Sequence, residues 1–200
     1  MKSTKLLYVL IACALLFVPA AFAEDERPKS PTGMASTQIG DAWIDISYSR
    51  PILRGRDHIF GSGEEYGKTV NGGGDYWRAG ANASTKIKTE IDLEIGGKKV
   101  PAGEYAIVVG LAEDQWTLVL TTQETMDTWQ GREAVAKGIM WGAYGYKPDN
   151  DVARAPMKLQ KLDYQIDQLT YSFVDVDETG ATLVLTWDKT AAMTRLAVAK

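Results

Sequence analysis

This sequence contains very little cysteine and histidine, and it has no excess of positive charge. Its 200 residues include one cysteine and one histidine, and 22 lysines and arginines are outnumbered by 26 aspartates and glutamates, which gives a formal net charge of -4. One cysteine excludes a disulfide framework, and one histidine excludes a His-rich metal centre. A nucleic-acid partner is not expected, because such proteins carry a basic face. We predict no metal site, no cofactor and no catalytic residue set.

The N-terminal segment has the pattern of a secretory signal peptide. Lys2 and Lys5 precede an apolar run over residues 6–18, and Ala21-Phe22-Ala23 supplies the small residues of a cleavage site before Glu24. Removal of this segment would leave no stable transmembrane segment. The protein is therefore expected to be exported, either to the periplasm or to the outside of the cell.

Two alternatives for this segment remain open. An uncleaved membrane anchor is one, and a lipoprotein anchored through Cys13 is the other, because residues 10–13 resemble a lipoprotein box. With cleavage as the favoured interpretation, the sequence divides into a signal peptide over residues 1–23, a linker over 24–33 with two prolines, and a single domain over 34–200.

An alternation of apolar and polar residues with a period of two dominates the predicted domain. It is clearest over residues 42–48 and 85–95, and it predicts strands with one solvated face. Gly96-Gly97 supplies a tight turn, since glycine reaches the positive φ that short hairpins require. Residues 105–111 are apolar on both faces, which indicates a strand in the middle of a sheet. Further strands are predicted over residues 116–120, 169–176, 181–187 and 194–198, and a short helix within 125–137.

Many short strands separated by turn signals are typical of sandwiches and barrels. We therefore predict an all-β protein, an antiparallel β-sandwich or barrel-like fold with at most one or two short helices.

Several ordered motifs resemble those of one bacterial family. They are Tyr48-Ser49-Arg50-Pro51, Gly55-Arg56, Ile59-Phe60-Gly61, Trp77-Arg78-Ala79-Gly80-Ala81-Asn82 with Thr85, Ile95-Gly96-Gly97-Lys98, Pro101-Ala102-Gly103-Glu104-Tyr105, and the group Trp141-Gly142, Tyr144, Tyr146, Asp151-Val152 and Arg154. This set is similar to the family of exported proteins catalogued as domain of unknown function 2911. The resemblance spans roughly residues 29 to 188, and it implies an exported β domain without an assigned reaction. One departure is an additional glycine-rich segment from Lys68 to Asp75 before the Trp-Arg motif.

A group of arginines near predicted turns forms the first candidate site. Arg50, Arg56 and Arg78, with Asn82 beside the last, are candidate ligand-binding residues, because guanidinium groups bind carboxylate or phosphate through two parallel hydrogen bonds. The alternative is that they fix loops by binding backbone carbonyls. We expect Arg50, next to a proline, to be structural, and Arg56 and Arg78 to be the ligand contacts.

Aromatic residues around a glycine-rich stretch form a second candidate site. Trp129, Trp141, Tyr144 and Tyr146 are candidate aromatic contacts for a sugar or a partner. The alternative is that they form the small core of a loop folded over the sheet.

Three functions stay open from the sequence. The favoured one is a non-catalytic, exported domain of the cell envelope that binds a small anionic ligand, a sugar or a partner. A hydrolase of envelope or extracellular carbohydrate is the first alternative, with two carboxylates assembled in space and Glu104 as one candidate. A structural envelope component is the second. His58 beside Asp57 lacks the sequence context of a hydrolase triad.

Overall fold

Antiparallel β-strands make up most of the fold. The computed structural model describes residues 28–72 and 74–200, and the predicted signal segment with Cys13 lies outside them. The ten strands in these residues are β1 (Thr32–Ile39), β2 (Ala42–Ser49), β3 (Tyr76–Trp77), β4 (Thr85–Thr89), β5 (Leu93–Ile95), β6 (Lys98–Val100), β7 (Gly103–Gly110), β8 (Trp116–Thr121), β9 (Asp151–Asp177) and β10 (Gly180–Val198). The α-helices in these residues are α1 (Lys68–Asn71) and α2 (Arg132–Ala136), and single 3-10 turns lie at Gly63–Glu65 and Pro148–Asn150. Over the same ranges, no helix has the length and apolar character needed to cross a bilayer.

The ten strands of the described residues belong to one sheet. Its order is β1-β2-β4-β7-β8-β9-β10-β5-β6, and β3 pairs with β7 beside this path. The sheet turns over on itself, so that the rings of Tyr48 in β2 and Tyr171 in β9 meet at 4.7 Å. Trp77 of β3 likewise stacks on Trp187 of β10 at 6.0 Å. The predicted all-β, sandwich- or barrel-like fold is confirmed.

β9 and β10 form one long, bent hairpin. β9 pairs with β8 through its first residues and with β10 from Lys158 onward. β10 bends near Asp188, whose φ is 52°. Its end then returns to its beginning, where the Val198 N–H donates to the carbonyl oxygen of Thr179 at 2.8 Å. The three strands predicted over 169–176, 181–187 and 194–198 are segments of these two strands.

The predicted strand over residues 85–95 is interrupted. The Thr89 hydroxyl accepts from the Ile91 N–H at 3.2 Å and donates to the Ile91 carbonyl oxygen at 2.6 Å, which makes a local turn. β4 before this turn pairs with β2 and β7, whereas β5 after it pairs with β6 and β10. Alternation of side chains continues through the corner, so the pattern alone does not reveal it.

Three smaller boundaries also differ from the sequence predictions. Thr32 and Gly33, predicted as linker, belong to β1. The predicted helix over 125–137 is restricted to α2, because the segment before it bonds to another part of the chain: the Met126 N–H donates to the Met140 carbonyl oxygen at 3.0 Å. Helix α1 lies in the glycine-rich segment that was not predicted to be helical.

Two apolar clusters lie on opposite faces of β7 and β8. The main core contains Ile107 and Val109 between the two halves of the folded sheet. Val108 of β7 and Val119 of β8 point to the other face, where they pack with Met140 from the long loop before β9. This second cluster explains why β7 is apolar on both faces. It also fixes the loop that carries the candidate aromatic residues.

Candidate functional site

The Trp-Arg motif and the glycine-rich aromatic loop meet at one place on the outer face of the sheet. The Ser84 hydroxyl donates to the Gly142 carbonyl oxygen at 2.9 Å. The Arg78 guanidinium lies against Gly142, where a β-carbon would stand 2.6 Å from Arg78 Cζ. The two segments are far apart in sequence, and these contacts join them into a single site.

Strand alternation places Arg78 on the outer face. Trp77 is buried in the main core, so the next residue points the opposite way. The strand then ends, since Ala79 and Asn82 adopt left-handed φ values of 46° and 58°. The Asn82 carbonyl oxygen accepts a hydrogen bond from Arg78 Nη1, and the buried Tyr171 hydroxyl holds this turn by donating to the Ala79 carbonyl oxygen at 3.0 Å.

A cavity of about 620 Å³ opens beside Arg78. Its walls combine the glycine-rich segment, β3 and the aromatic loop, with Val70, Asp75, Tyr76, Arg78, Tyr144 and Tyr146 among the lining residues. This volume lies within the range of small-molecule sites. The glycine-rich segment from Lys68 to Asp75 therefore supplies part of the cavity wall.

Within the part of the chain that the structure describes, Arg78 is the cation that lines this cavity, and it has no carboxylate partner. Among the residues that the structure describes, the seven ion pairs do not include Arg78. Burial lowers the pKa of its guanidinium from the usual high range, yet the group remains charged at neutral pH. A half-buried cation that faces a cavity favours an anionic ligand.

Tyr146 forms another wall and is held by a polar network. Its hydroxyl lies 2.8 Å from both carboxylate oxygens of Asp151 and accepts from Arg154 Nη2 at 2.8 Å. Arg154 Nη1 also donates to the Tyr76 hydroxyl at 2.9 Å. Burial and the hydrogen bond to Asp151 raise the pKa of Tyr146. The Asp151 charge is balanced by Arg154, so it opposes an incoming anion less than a free carboxylate would.

Of the other candidate aromatic residues, Tyr144 lines the cavity, and Trp129 and Trp141 lie next to Tyr144 without lining it. Trp129 contacts Trp141 at 6.3 Å and Tyr144 at 6.2 Å between ring centroids. Trp129 and Tyr144 are 48% and 54% exposed, whereas Tyr146 packs against the second apolar cluster. Tyr146 is therefore part of the loop's packing over the sheet, and Trp129 and Tyr144 keep exposed ring surface.

Arg50 and Arg56 bond to backbone carbonyl oxygens as Arg78 does, but they do not line the cavity. Arg50 donates from Nε to the Leu169 carbonyl oxygen at 3.2 Å and from Nη2 to the Thr170 hydroxyl at 2.9 Å. Arg56 donates to the carbonyl oxygens of Leu53 and Ile52, both at 2.8 Å. These are the contacts of arginines that fix loops, and they leave Arg78 as the member of the predicted set that faces a cavity.

The family described as protein of unknown function (DUF2911) matches residues 30–196 of this sequence. The chain belongs to this family. The match includes every residue of the cavity wall named above, and it confirms the resemblance seen in the motifs. Comparison with curated proteins gives no match for the DUF2911 chain, and comparison with solved structures gives none either.

A second cavity of about 360 Å³ in this DUF2911 domain contains His58 and Asp188. Asp188 is buried and accepts from the Ile59 N–H at 3.3 Å and from Gln165 Nε2 at 2.9 Å. Gln165 Nε2 also donates to Asp57 at 3.0 Å. Asp57 thus bonds to Gln165 rather than to His58. Asp57 and His58 therefore do not form the Asp–His pair of a hydrolase triad.

Sequence reasoning did not assign three residues that shape the site. Tyr76 and Arg154 belong to the family motifs or lie next to them, and their bond to each other depends on the pairing of distant strands. Gln123 is buried, donates to the carbonyl oxygens of Gly138 and Gly145 at 2.9 and 2.7 Å, and accepts from the Lys147 N–H at 2.7 Å. Only the folded loop reveals this role. Glu104 pairs with Lys86 at 3.5 Å, away from Arg78.

Proposed function

We propose that this protein is a ligand-binding domain whose cavity takes a small molecule with a carboxylate, sulfate or phosphate group. The observation that carries the proposal is the Arg78 guanidinium, which faces the cavity and lacks a carboxylate partner among the described residues. A guanidinium in a partly desolvated position binds an oxyanion with two parallel hydrogen bonds. The aromatic wall of Tyr144 and Tyr146 supplies apolar contact for the rest of the ligand.

The composition of the wall supports binding over carbohydrate hydrolysis. Of the described residues that line the cavity, Asp75 alone carries a carboxylate. Hydrolysis of a glycosidic bond by the common mechanism uses two carboxyl groups on either side of the bond. The described residues that line this cavity therefore do not supply the pair of carboxyl groups that the alternative hydrolase prediction requires.

A thermal-shift assay of the full chain tests the proposal. Phosphate, sulfate and galacturonate are the probes, and Arg78→Ala is compared with Arg54→Ala, whose exposed guanidinium bonds to the Lys29 carbonyl oxygen. A ligand at a hundred times its dissociation constant stabilises the wild type by about 2.7 kcal/mol. The shift should vanish in Arg78→Ala and persist in Arg54→Ala. The proposal is wrong if no anion shifts the wild type, or if Arg78→Ala responds as the wild type does.

We also propose that the domain works outside the cytoplasm. The support is the signal pattern, with Lys2 and Lys5 before the apolar run and the small residues before Glu24. Intact mass of the protein expressed in its host tests this: a chain that begins at Glu24 and carries no lipid is expected. A mass that shows an acylated Cys13 at the N-terminus would establish the lipoprotein alternative instead.

A further inference from the structure

Three neighbouring rings form an aromatic platform next to the cavity: Trp129, Trp141 and Tyr144. Trp129 lies 6.3 Å from Trp141 and 6.2 Å from Tyr144 between centroids, tilted at 64° and 50°. Trp129 and Tyr144 each expose about half of their surface, at 48% and 54%. Large aromatic side chains that stay exposed together are typical of binding surfaces.

The platform is held in place by its own loop. The Tyr144 N–H donates to the Trp141 carbonyl oxygen at 2.8 Å, and the Trp141 N–H donates back at 3.1 Å. On the Trp129 side, the Gln130 N–H donates to the sulfur of buried Met126 at 3.2 Å. Because the loop is fixed before a ligand arrives, little conformational entropy is lost on binding.

Tyr144 belongs to the cavity wall and to the platform at once. Arg78 and Tyr144 line the same cavity, and Trp129 lies 6.2 Å from Tyr144 between ring centroids, so the platform adjoins the wall of the cavity that contains Arg78. The cavity volume of about 620 Å³ exceeds what a single inorganic anion needs. The cavity consequently has room for a ligand larger than one compact ion.

We infer that the ligand is an acidic oligosaccharide, with a uronate carboxylate on Arg78 and a neighbouring sugar ring on the aromatic platform; this inference rests on the proposed function. The electron-rich face of an aromatic ring attracts the polarised C–H groups on one face of a pyranose. The charge of Arg78 selects for carboxylated over neutral sugars. A peptide that docks by adding a strand to a sheet edge is less well suited, since the platform stands on loops.

Calorimetric titration of the full chain with galacturonate and with tetragalacturonate tests this inference. The wild type should bind the tetramer about tenfold more tightly than the monomer, which corresponds to about 1.4 kcal/mol from the platform. Trp129→Ala should bind galacturonate and tetragalacturonate equally, with the affinity that the wild type has for galacturonate. Trp129→Tyr should keep most of the tenfold preference for the tetramer. The matched control is Trp43→Ala on β2, because Trp43 is 45% exposed and lies outside the platform.

The variants separate this inference from the proposed function. If galacturonate binds through Arg78 but the tetramer binds no better, or if Trp129→Ala keeps the gain, the platform is not a sugar site and the anion site stands. If tetraglutamate, and not tetragalacturonate, gains affinity from Trp129, the ligand is a peptide and the inference is wrong. If the wild type binds none of these anions, both the proposed function and this inference are wrong.

Discussion

The guanidinium of Arg78 lies so close to Gly142 that a β-carbon at position 142 would stand 2.6 Å from both Cζ and Nε of Arg78. Gly142 also has a φ of 63°, in the left-handed region that favours glycine. The aromatic loop can therefore turn at Gly142 and approach the arginine at the same time. This contact sets the position of the guanidinium in the cavity.

Gly142→Ala should abolish anion binding through Arg78 at a modest cost in stability. The left-handed backbone costs an alanine about 1 kcal/mol, and the new methyl group displaces the flexible end of the Arg78 side chain. The matched control is Gly40→Ala, since Gly40 has a φ of 59° and open space where a β-carbon would be. Chemical denaturation and the thermal shift with galacturonate are the measurements.

Both glycine variants are expected to lose a similar free energy of unfolding, and only Gly142→Ala should lose the ligand-induced shift. Equal anion responses in the two variants would show that the position of Arg78 does not depend on Gly142.

Arg50→Ala should lower the free energy of unfolding by about 1–2 kcal/mol and leave anion binding intact. Its side chain bonds to Leu169 and Thr170 of β9 and packs over Gly33 of β1, so the substitution leaves a partly buried carbonyl oxygen unpaired. Arg54→Ala, on an exposed side chain, should stay within about 0.5 kcal/mol of the wild type. Urea denaturation measures both, and loss of the anion shift in Arg50→Ala would place that arginine at the ligand.

Strand-forming segments could be predicted from the sequence because alternation reports which face of a strand is buried. The same signal does not report which strand a segment pairs with. The interruption at Thr89 and the continuity of β10 through Asp188 both depend on such pairing. The sequence presented Arg78 and the aromatic residues as two separate candidate sites, and only the fold brings Arg78, Tyr144 and Tyr146 to one cavity.

The roles of individual arginines were harder to predict. Arg50, Arg56 and Arg78 all stand beside turn residues, and a guanidinium serves a carbonyl oxygen as readily as a ligand. The difference lies in what the fold places around each of them. Both Arg56 and Arg78 return to carbonyl oxygens of their own turns, but only Arg78 of the two also lines the cavity of about 620 Å³.

Alkaline pH should destabilise the protein through the buried Tyr171 and the partly buried Tyr146. Burial raises the pKa of Tyr171 well above 10, and burial with the bond to Asp151 raises the pKa of Tyr146. Unfolded tyrosine titrates near pH 10, so above that pH the native state holds more protons than the unfolded state. The free energy of unfolding must then fall as pH rises, by up to about 1.4 kcal/mol per pH unit for each group.

Urea denaturation at pH 9, 10 and 11 measures this slope. Tyr146→Phe and Tyr171→Phe should each make the decline shallower, although both also lose a hydrogen bond and start from a lower value at pH 9. If neither substitution changes how steeply the free energy of unfolding falls above pH 10, the loss of stability at alkaline pH comes from other groups.

The hairpin turn between β5 and β6 offers the sharpest test of the fold, because its two glycines differ in only one respect. Gly96 and Gly97 both have left-handed φ values, 58° and 75°. A β-carbon at Gly96 would stand 1.9 Å from the carbonyl oxygen of Arg154 in β9, whereas one at Gly97 would meet open space. Gly97→Ala should therefore cost about 1 kcal/mol for its backbone alone. Gly96→Ala must also move backbone, and we expect a loss of about 3 kcal/mol or more. Thermal and urea denaturation of the two variants compare them directly, and equal losses would mean that the turn does not pack against β9.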